Sequence, residues 1–463
     1  MVSNIVDLPQ ILFRYGGKSI SMIDKIDVSP QAICGTHPEK SGRIQLMVAT
    51  IFFVTLAAPI RFYGVWQMPY VASFSVVEVA LLVALLYVVG GVVIYGRLVI
   101  GPTRIIALLA LPVFATVISV IWSIHPGMTF KAMAVHFEAV LGYLVVINIL
   151  RGLSVREHLG LMGAFVVVLL VAAVLSYTGI PALSPQLPPD LSQSETAAFL
   201  LSYHARFSHP FIGLSNNIAT VLVMVLPILV AIGWCYRSKH WYLAASFSFV
   251  ALVATMSRGV FLGLMLAVGI TGLLWLAVHG RFNKGIIRLF IFFLTAMVAG
   301  MTIFFYSSPS ALQHLDGRFS FYNVDSRLLA YKATLGVILA HPVTGVGGGV
   351  GLGEVVSSTG LHSVHNAYLQ ALFWYGIPLG LVVAFVPLLL PLVTSRLCAV
   401  RGVPRIFRRG IVIALLAVAM SNLFESSWEG SMLRLLTYVL IGWCISMLHA
   451  LNVDVEKERR GLR

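Results

Sequence analysis

Long apolar runs separated by short polar segments dominate the hydrophobic pattern of this chain. A transmembrane helix needs roughly 20 apolar residues to cross about 30 Å of hydrocarbon. The pattern therefore predicts an all-α integral membrane protein with about twelve transmembrane helices. The predicted spans are 46–62, 74–96, 104–123, 132–150, 158–178, 215–235, 241–257, 260–279, 287–306, 367–395, 410–426 and 433–450.

The distribution of positive charge predicts how these spans are oriented. Most of the 31 Lys and Arg residues fall in one alternating set of inter-span segments, which the positive-inside rule makes cytoplasmic. Both termini are then cytoplasmic, as an N-terminal segment 1–45 and a tail 451–463 around a polytopic membrane domain 46–450. Two long loops, 179–214 and 307–366, face the other side, and the second precedes the tenth predicted span.

Composition supports lipid as the main solvent. The chain is 59% hydrophobic and 10% charged, whereas soluble domains carry about 25% charged residues. A net charge of +14 could suggest nucleic acid, but the basic residues follow the topology. We therefore expect the basic residues to contact anionic membrane lipids and not nucleic acid.

Three of the arginines on the sparsely charged side are candidates for a functional role: Arg258, Arg327 and Arg206. A guanidinium binds phosphate oxygens in a bidentate manner, so each is a candidate anion ligand. Arg258 could instead snorkel to lipid headgroups, and Arg327 could form a surface salt bridge with Asp325 or Asp316.

His365 lies just before the span 367–395, at a predicted membrane–water boundary. An ionisable imidazole there is a candidate general base, although a satisfied histidine at a helix N-terminus is an equal alternative. His362 and His365 could together ligate a metal, but no carboxylate or Cys lies at ligand spacing. No metal site is therefore predicted.

Three further segments on the sparsely charged side are interpreted as structural rather than catalytic. The glycine-rich segment 340–353 lacks the Lys-Ser/Thr of a P-loop and is predicted to be a flexible loop that lets a substrate approach. Glu425 and Glu429 could accept a proton or a sugar hydroxyl, but a solvated turn is the favoured interpretation. The mixed pattern of 319–342 predicts a short helix lying on the membrane.

Four segments together resemble the O-antigen ligase / O-antigen polymerase superfamily of bacterial membrane glycosyltransferases, which includes exopolysaccharide polymerase-like members. The resemblance covers roughly 200–395, in the family's order. The segments are 206–217; 257–259; 325–327 followed by 341–347; and His365-Asn366 with Gly376 ten residues after Asn366. One departure is Leu379, where the ligase pattern expects Gly, Thr or Tyr, and this weakens the choice of ligase over polymerase.

The resemblance implies a GT-C-type fold in the bacterial inner membrane, with a periplasmic active site. It implies inverting transfer of a glycan from an undecaprenyl-pyrophosphate carrier to an acceptor hydroxyl, with no metal and no cofactor. His365 would be the catalytic base, and Arg258, Arg327 and Arg206 would bind the pyrophosphate. The motif residues Ser257, Gly259, Asn366 and Gly376 would support them.

The acceptor and even the class of function stay open at this point. Transfer to lipid A-core, as in lipopolysaccharide biosynthesis, is the preferred prediction. The alternative within the family is a polymerase that joins lipid-linked repeat units of O-antigen or exopolysaccharide. A polysaccharide or lipid transporter (flippase) is the alternative from another class, and it would predict broken helices in two matched halves.

Overall fold

A computed structural model describes residues 39–57, 76–96, 98–177, 215–255, 257–279, 322–356, 364–397, 404–425 and 431–459, with 291 and 295 as isolated positions. Every regular element in these ranges is a helix. The helices are α1 (Glu39–Ala57), α2 (Val76–Tyr95), α3 (Thr103–Ser119), α4 (Pro126–Ile149), α5 (Val155–Tyr177), α6 (Ser215–Tyr236), α7 (Lys239–Ala254), α8 (Arg258–His279), α9 (Tyr322–Ala340), α10 (Leu352–Val355), α11 (Ala367–Leu397), α12 (Arg405–Ser421) and α13 (Ser431–Arg459).

Within those ranges, seven helices are long and apolar enough to span a membrane. Their spans are Val77–Ile94, Thr103–Trp122, Pro126–Ile149, Val155–Leu175, Asn216–Tyr236, Ala367–Arg396 and Leu433–Asp454. This fits a multi-pass, all-α integral membrane protein, while the count of about twelve spans and the GT-C type stay predictions. Loop 179–214, most of segment 1–45 and nearly all of the predicted span 287–306 lie outside the described residues.

The helix α6 is the most enclosed of these spans, with 83% of its apolar window buried. It packs against α7, α8 and α12, while α12 also packs against α8 and α11. The long helix α13 packs mainly along α4. Lipid tails are as apolar as leucine, so close van der Waals packing between helices, rather than exclusion from lipid, must hold this bundle together.

A glycine sets the close approach of α8 to α12. A Cβ atom on Gly263 would lie 2.5 Å from the backbone nitrogen of Ser421. At the start of α8, a Cβ atom on Gly259 would lie 2.6 Å from Cβ of Phe424. Small residues allow such backbone approach. The crossing therefore places the beginning of α8 directly beside the turn that follows α12.

The long helix α11 is broken near its beginning. Gly376 has φ 72° and ψ 176°, outside the helical region. A Cβ atom at this position would collide with the carbonyl group of Val343, and the next amide, of Ile377, donates to the carbonyl of Pro342 at 2.7 Å. Only glycine fits this combination of positive φ and close approach.

The partner of this break is the glycine-rich segment, and here the structure differs from the sequence-based expectation. Its residues 345–348 are buried. The amide of Val346 donates to the carbonyl of Phe373, and the amide of Gly348 donates to Oγ of Ser119. The glycines therefore let the loop approach other parts of this chain, so the expectation of an open, flexible loop is wrong for this central part.

Candidate active site

Three segments from distant parts of the chain meet around the turn 422–425, which follows α12. They are the beginning of α8, the first half of α9 and the residues before α11. Glu425 lies at the centre of this arrangement, with its side chain only 10% exposed. The favoured interpretation of Glu425 as part of a solvated turn is therefore wrong, and Glu429 lies outside the described residues.

Arg327 on α9 contacts this turn at two atoms. Its Nη2 donates to Oε1 of Glu425 at 3.1 Å, and its Nη1 donates to the carbonyl of Phe424 at 3.0 Å. The Arg327 side chain is 37% exposed, so the ion pair lies at the edge of the protein and is partly screened. The alternative partners, Asp325 and Asp316, have side chains outside the described part.

His365 faces the other oxygen of the same carboxylate. Its Nδ1 lies 4.0 Å from Oε2 of Glu425, which is an electrostatic contact rather than a hydrogen bond. Burial lowers the pKa of His365 below its usual 6.5, the charge of Arg327 lowers it further, and Glu425 opposes both effects. A neutral imidazole at neutral pH follows, with 43% of the side chain exposed to a reacting partner.

The backbone of His365 is held in an unusual conformation. Its φ is 52°, a left-handed value that few residues other than glycine adopt. The hydroxyl of Tyr331 donates to the His365 carbonyl at 3.5 Å. Non-glycine residues in this region of φ cluster at functional sites, where the surroundings fix them.

Asn366 explains how the chain enters α11. Its Oδ1 accepts hydrogen bonds from the amides of Tyr368 and Leu369, both at 3.0 Å, which makes it the N-cap of the helix. Its Nδ2 donates to the carbonyl of Leu423 at 3.0 Å. Asn366 therefore fixes the start of α11 to the same turn that carries Glu425, one residue away from the imidazole.

The segment 257–259 packs against the opposite side of the turn. Ser257 is buried, and its carbonyl accepts the amide of Phe261 at 3.0 Å in the first turn of α8. A Cβ atom on Gly259 would lie 3.4 Å from Oε1 of Glu425. Arg258, the exposed first residue of α8, stands between these two packed positions. The segment thus brings Gly259, the residue after Arg258, against the buried carboxylate.

The structure thus brings most of the predicted site residues together. Arg327 and His365 share the carboxylate of Glu425, while Ser257, Arg258, Gly259 and Asn366 border the same turn. Gly376 is not part of this cluster, because it lies ten residues along α11 against the glycine-rich loop. Arg206 and His362 fall outside the described residues. In the described part, no three His, Cys, Asp or Glu side chains are grouped closely enough to hold a metal ion.

Sequence analysis does not identify Glu425 as a central residue of the site. The signal available was its rarity, since the chain has only 17 acidic residues and this one follows an apolar helix directly. Acidic residues near a membrane span usually have a specific partner. Its partner, Arg327, is 98 positions earlier, so the pair could be found only from the fold.

Comparison with known proteins gives one family. Residues 243–384 match the O-antigen ligase family. No curated protein matches the chain. The matched region contains Arg258, Arg327 and His365, and it ends before Glu425. Residues 243–384 are therefore similar to the O-antigen ligase family, which confirms the resemblance to the O-antigen ligase / O-antigen polymerase superfamily.

Proposed function

We propose that this protein is a multi-pass membrane glycosyltransferase that moves a glycan from an undecaprenyl-pyrophosphate carrier to an acceptor hydroxyl. The family match supports glycosyltransferase activity of the O-antigen ligase/polymerase type. The observation that carries the proposal is the shared carboxylate of Glu425, which pairs with Arg327 and faces His365. A neutral base beside guanidinium groups suits the removal of a proton and the departure of a pyrophosphate.

In the proposed reaction His365 takes the proton of the acceptor hydroxyl. The acceptor oxygen forms a bond to the anomeric carbon of the donor sugar, while the bond from that carbon to the pyrophosphate oxygen breaks. The electron pair leaves with the lipid pyrophosphate, and direct attack inverts the anomeric configuration. Glu425 stabilises the imidazolium that forms, because its negative charge already acts on the ring.

Arginines would receive the negative charge of the leaving group. The guanidinium of Arg327 has five N–H donors, and its bonds to Phe424 and Glu425 use two of them. Arg258 is exposed at the beginning of α8, where the helix N-terminus adds partial positive charge. Together with Arg206 they would supply the charge stabilisation that a metal ion supplies in many phosphate-handling enzymes, so the proposed reaction is metal-independent.

Lipid A-core is the preferred acceptor, with a lipid-linked repeat unit as the alternative. The site would face the periplasm, with about twelve GT-C-type spans in the inner membrane and both termini in the cytoplasm. The loops 179–214 and 307–366 would cover the donor glycan.

The test uses full-length protein in nanodiscs with a synthetic undecaprenyl-pyrophosphate oligosaccharide and a chelator. Lipid A-core and a second lipid-linked repeat are offered separately. The expected result is glycosylated lipid A-core with wild type and with His240→Ala, an exposed histidine at the beginning of α7, but not with His365→Ala. A ladder of longer lipid-linked chains would assign polymerase activity. Product formation by His365→Ala would refute the role of the base.

A transporter has one observation in its favour, the broken helix α11. The break, however, is occupied by the carbonyl of Pro342, which accepts the Ile377 amide. It therefore leaves no open midplane site for cargo at that point. Movement of the labelled lipid-linked oligosaccharide across proteoliposomes, without any transfer product, would favour the transporter instead.

A further inference from the structure

The phenol of Tyr331 belongs to the candidate active site but has no part in the proposed reaction. Tyr331 lies on α9 one turn after Arg327, and residues four apart lie on the same face of a helix. Ala330, next to Tyr331, is buried in one cluster with Val364, and α9 packs against α11. Tyr331 therefore lies on the side of α9 that meets the residues before α11.

The hydroxyl of Tyr331 is bonded to the backbone of His365. It donates to the His365 carbonyl at 3.5 Å. One turn further along α9, the hydroxyl of Thr334 donates to the carbonyl of Ala330 in its own helix at 2.7 Å. Among the side chains that the structure describes on α9, Tyr331 is thus the one hydrogen-bonded to His365.

The carbonyl that accepts this bond belongs to the residue with the left-handed backbone. A φ of 52° costs free energy for a residue with a Cβ atom, so surrounding contacts have to hold His365 in this conformation. Asn366 holds the chain on the following side, where it caps α11 and donates to the carbonyl of Leu423. Tyr331 holds the carbonyl of His365 itself. Because the allowed directions of a side chain depend on the backbone at its own Cα atom, these contacts fix where the imidazole points.

The charges of the site act on the same hydroxyl. Burial raises the pKa of Tyr331 above its usual 10.0, the charge of Arg327 lowers it, and the charge of Glu425 raises it. The phenol is therefore protonated at neutral pH and keeps a hydrogen to donate. Both charged partners of the site lie within electrostatic reach of Tyr331, which places its hydroxyl inside the cluster rather than beside it.

We propose that Tyr331 is a positioning residue, which holds the backbone of His365 so that the imidazole faces Glu425 and the incoming acceptor hydroxyl. The inference rests on the proposed function, because it needs His365 to be the base. Tyr331 acts through His365 and neither takes up nor releases a proton in the reaction. Loss of its hydroxyl should therefore leave the donor bound and slow the step in which the acceptor loses its proton.

The first measurement is the kinetics of Tyr331→Phe in the full-length protein in nanodiscs. The bond of 3.5 Å is long, so its loss should cost little stability. With kcat expressed per site that binds the synthetic undecaprenyl-pyrophosphate oligosaccharide, we expect kcat to fall about tenfold and the KM for this donor to stay within about twofold of wild type. The acid limb of the pH profile should not move, because the charges that act on His365 are those of Arg327 and Glu425. Tyr242→Phe, at an exposed tyrosine of α7, should behave like wild type.

The second measurement needs no turnover. Diethyl pyrocarbonate modifies neutral imidazoles, and peptide mass spectrometry gives the rate at each histidine. The side chain of His365 is 43% exposed, and in Tyr331→Phe its rate should rise at least about threefold because the ring is no longer held in one direction. The rate at His240, an exposed histidine of α7, should be unchanged. His158, which is fully buried, should stay unmodified and thereby report an intact fold.

Several results for Tyr331→Phe would overturn the proposal. They are a wild-type kcat per site, an unchanged modification rate at His365, and a shifted acid limb, which would mean that Tyr331 acts through charge. Modification of His158 would assign the effect to general loosening of the fold and also contradict it. If the wild type forms no product with either acceptor, the proposed function fails, whereas the rate at His365 still decides whether Tyr331 positions this residue.

Discussion

Arg327 and Glu425 form an ion pair of 3.1 Å, although they lie 98 residues apart in the chain. The second oxygen of the same carboxylate faces Nδ1 of His365. One buried carboxylate therefore relates a candidate pyrophosphate ligand to a candidate base. Changing any of the three should affect the other two, which makes the arrangement open to direct tests.

Glu425→Gln should reduce transfer about 100-fold while the protein still folds. The substitution keeps the shape of the side chain but removes the charge that orients Arg327 and stabilises protonated His365. Because Arg327 is over a third exposed, the loss of stability should be only about 1 kcal/mol. Steady-state kinetics and thermal unfolding measure the two effects. The control is Glu354→Gln, at an exposed glutamate of α10. Wild-type kcat/KM in Glu425→Gln would exclude Glu425 from the site.

Arg258→Lys should fail nearly as badly as Arg258→Ala. Lysine keeps the positive charge but loses the planar fork that binds two phosphate oxygens at once. We expect a loss of about 10- to 100-fold in kcat/KM for both variants. Arg156→Lys, at an exposed arginine near the start of α5, should have no effect. Full activity of the lysine variant would mean that charge alone is sufficient at this position.

The pH profile should report the neutral imidazole of His365. A base must be unprotonated, so activity should be present above the pKa of His365 and fall as the pH drops through it. Burial and the charge of Arg327 lower this pKa, so the acid limb should lie below 6.5. Arg327→Met removes one lowering effect and should move the limb to higher pH. Glu425→Gln removes the raising effect and should move it to lower pH. Coincident limbs in all three proteins would assign the titration to another group.

Gly263→Ala should separate α8 from α12. The added Cβ atom would lie 2.5 Å from the Ser421 backbone, which cannot yield without moving a helix. We expect a lower unfolding temperature and a loss of activity, since the same crossing places the beginning of α8 against the turn that carries Glu425. Gly269→Ala on the same helix meets no atom within 4 Å and should be neutral or stabilising by up to about 1 kcal/mol. If both alanine variants behave like wild type, the packing between α8 and α12 does not position the site.

Cysteine labelling tests the orientation. In a background without the four native cysteines, His365→Cys should react with a membrane-impermeant reagent added from the periplasmic side. His240→Cys, at the beginning of α7, should react only after the membrane is opened. The reverse pattern would invert the topology and remove the periplasmic active site.

The apolar pattern located helices well but misplaced several ends. The predicted spans 132–150, 410–426 and 433–450 correspond to the helices Pro126–Ile149, Arg405–Ser421 and Ser431–Arg459. Arginine, lysine and glutamate are good helix formers, so the second and third of these helices continue into polar sequence, whereas the first begins earlier at Pro126, a residue favoured in the first turn of a helix. The pattern of 319–342 correctly predicted a helix, Tyr322–Ala340, whose position on the membrane is still a prediction.

The site residues were predictable in type but not in arrangement. Arg258, Arg327 and His365 stand out because the sequence predicts them on the side of the membrane where positive charge is disfavoured. The close contact of Phe424 with α8, next to Glu425, depends on the absence of a side chain at Gly259, which no local pattern reveals. The family motif suggests that Gly376 supports the site. In the structure its positive φ instead allows the glycine-rich loop to pack against α11.

The contact at Gly376 connects the two parts of the chain that carry Arg327 and His365. Arg327 lies on α9, which runs into the glycine-rich loop, and that loop binds the break in α11 through Pro342 and Ile377. The nine residues 367–375 then lead back from the break to His365. The contacts at Gly376 therefore connect the helix that carries Arg327 with the helix that begins beside His365.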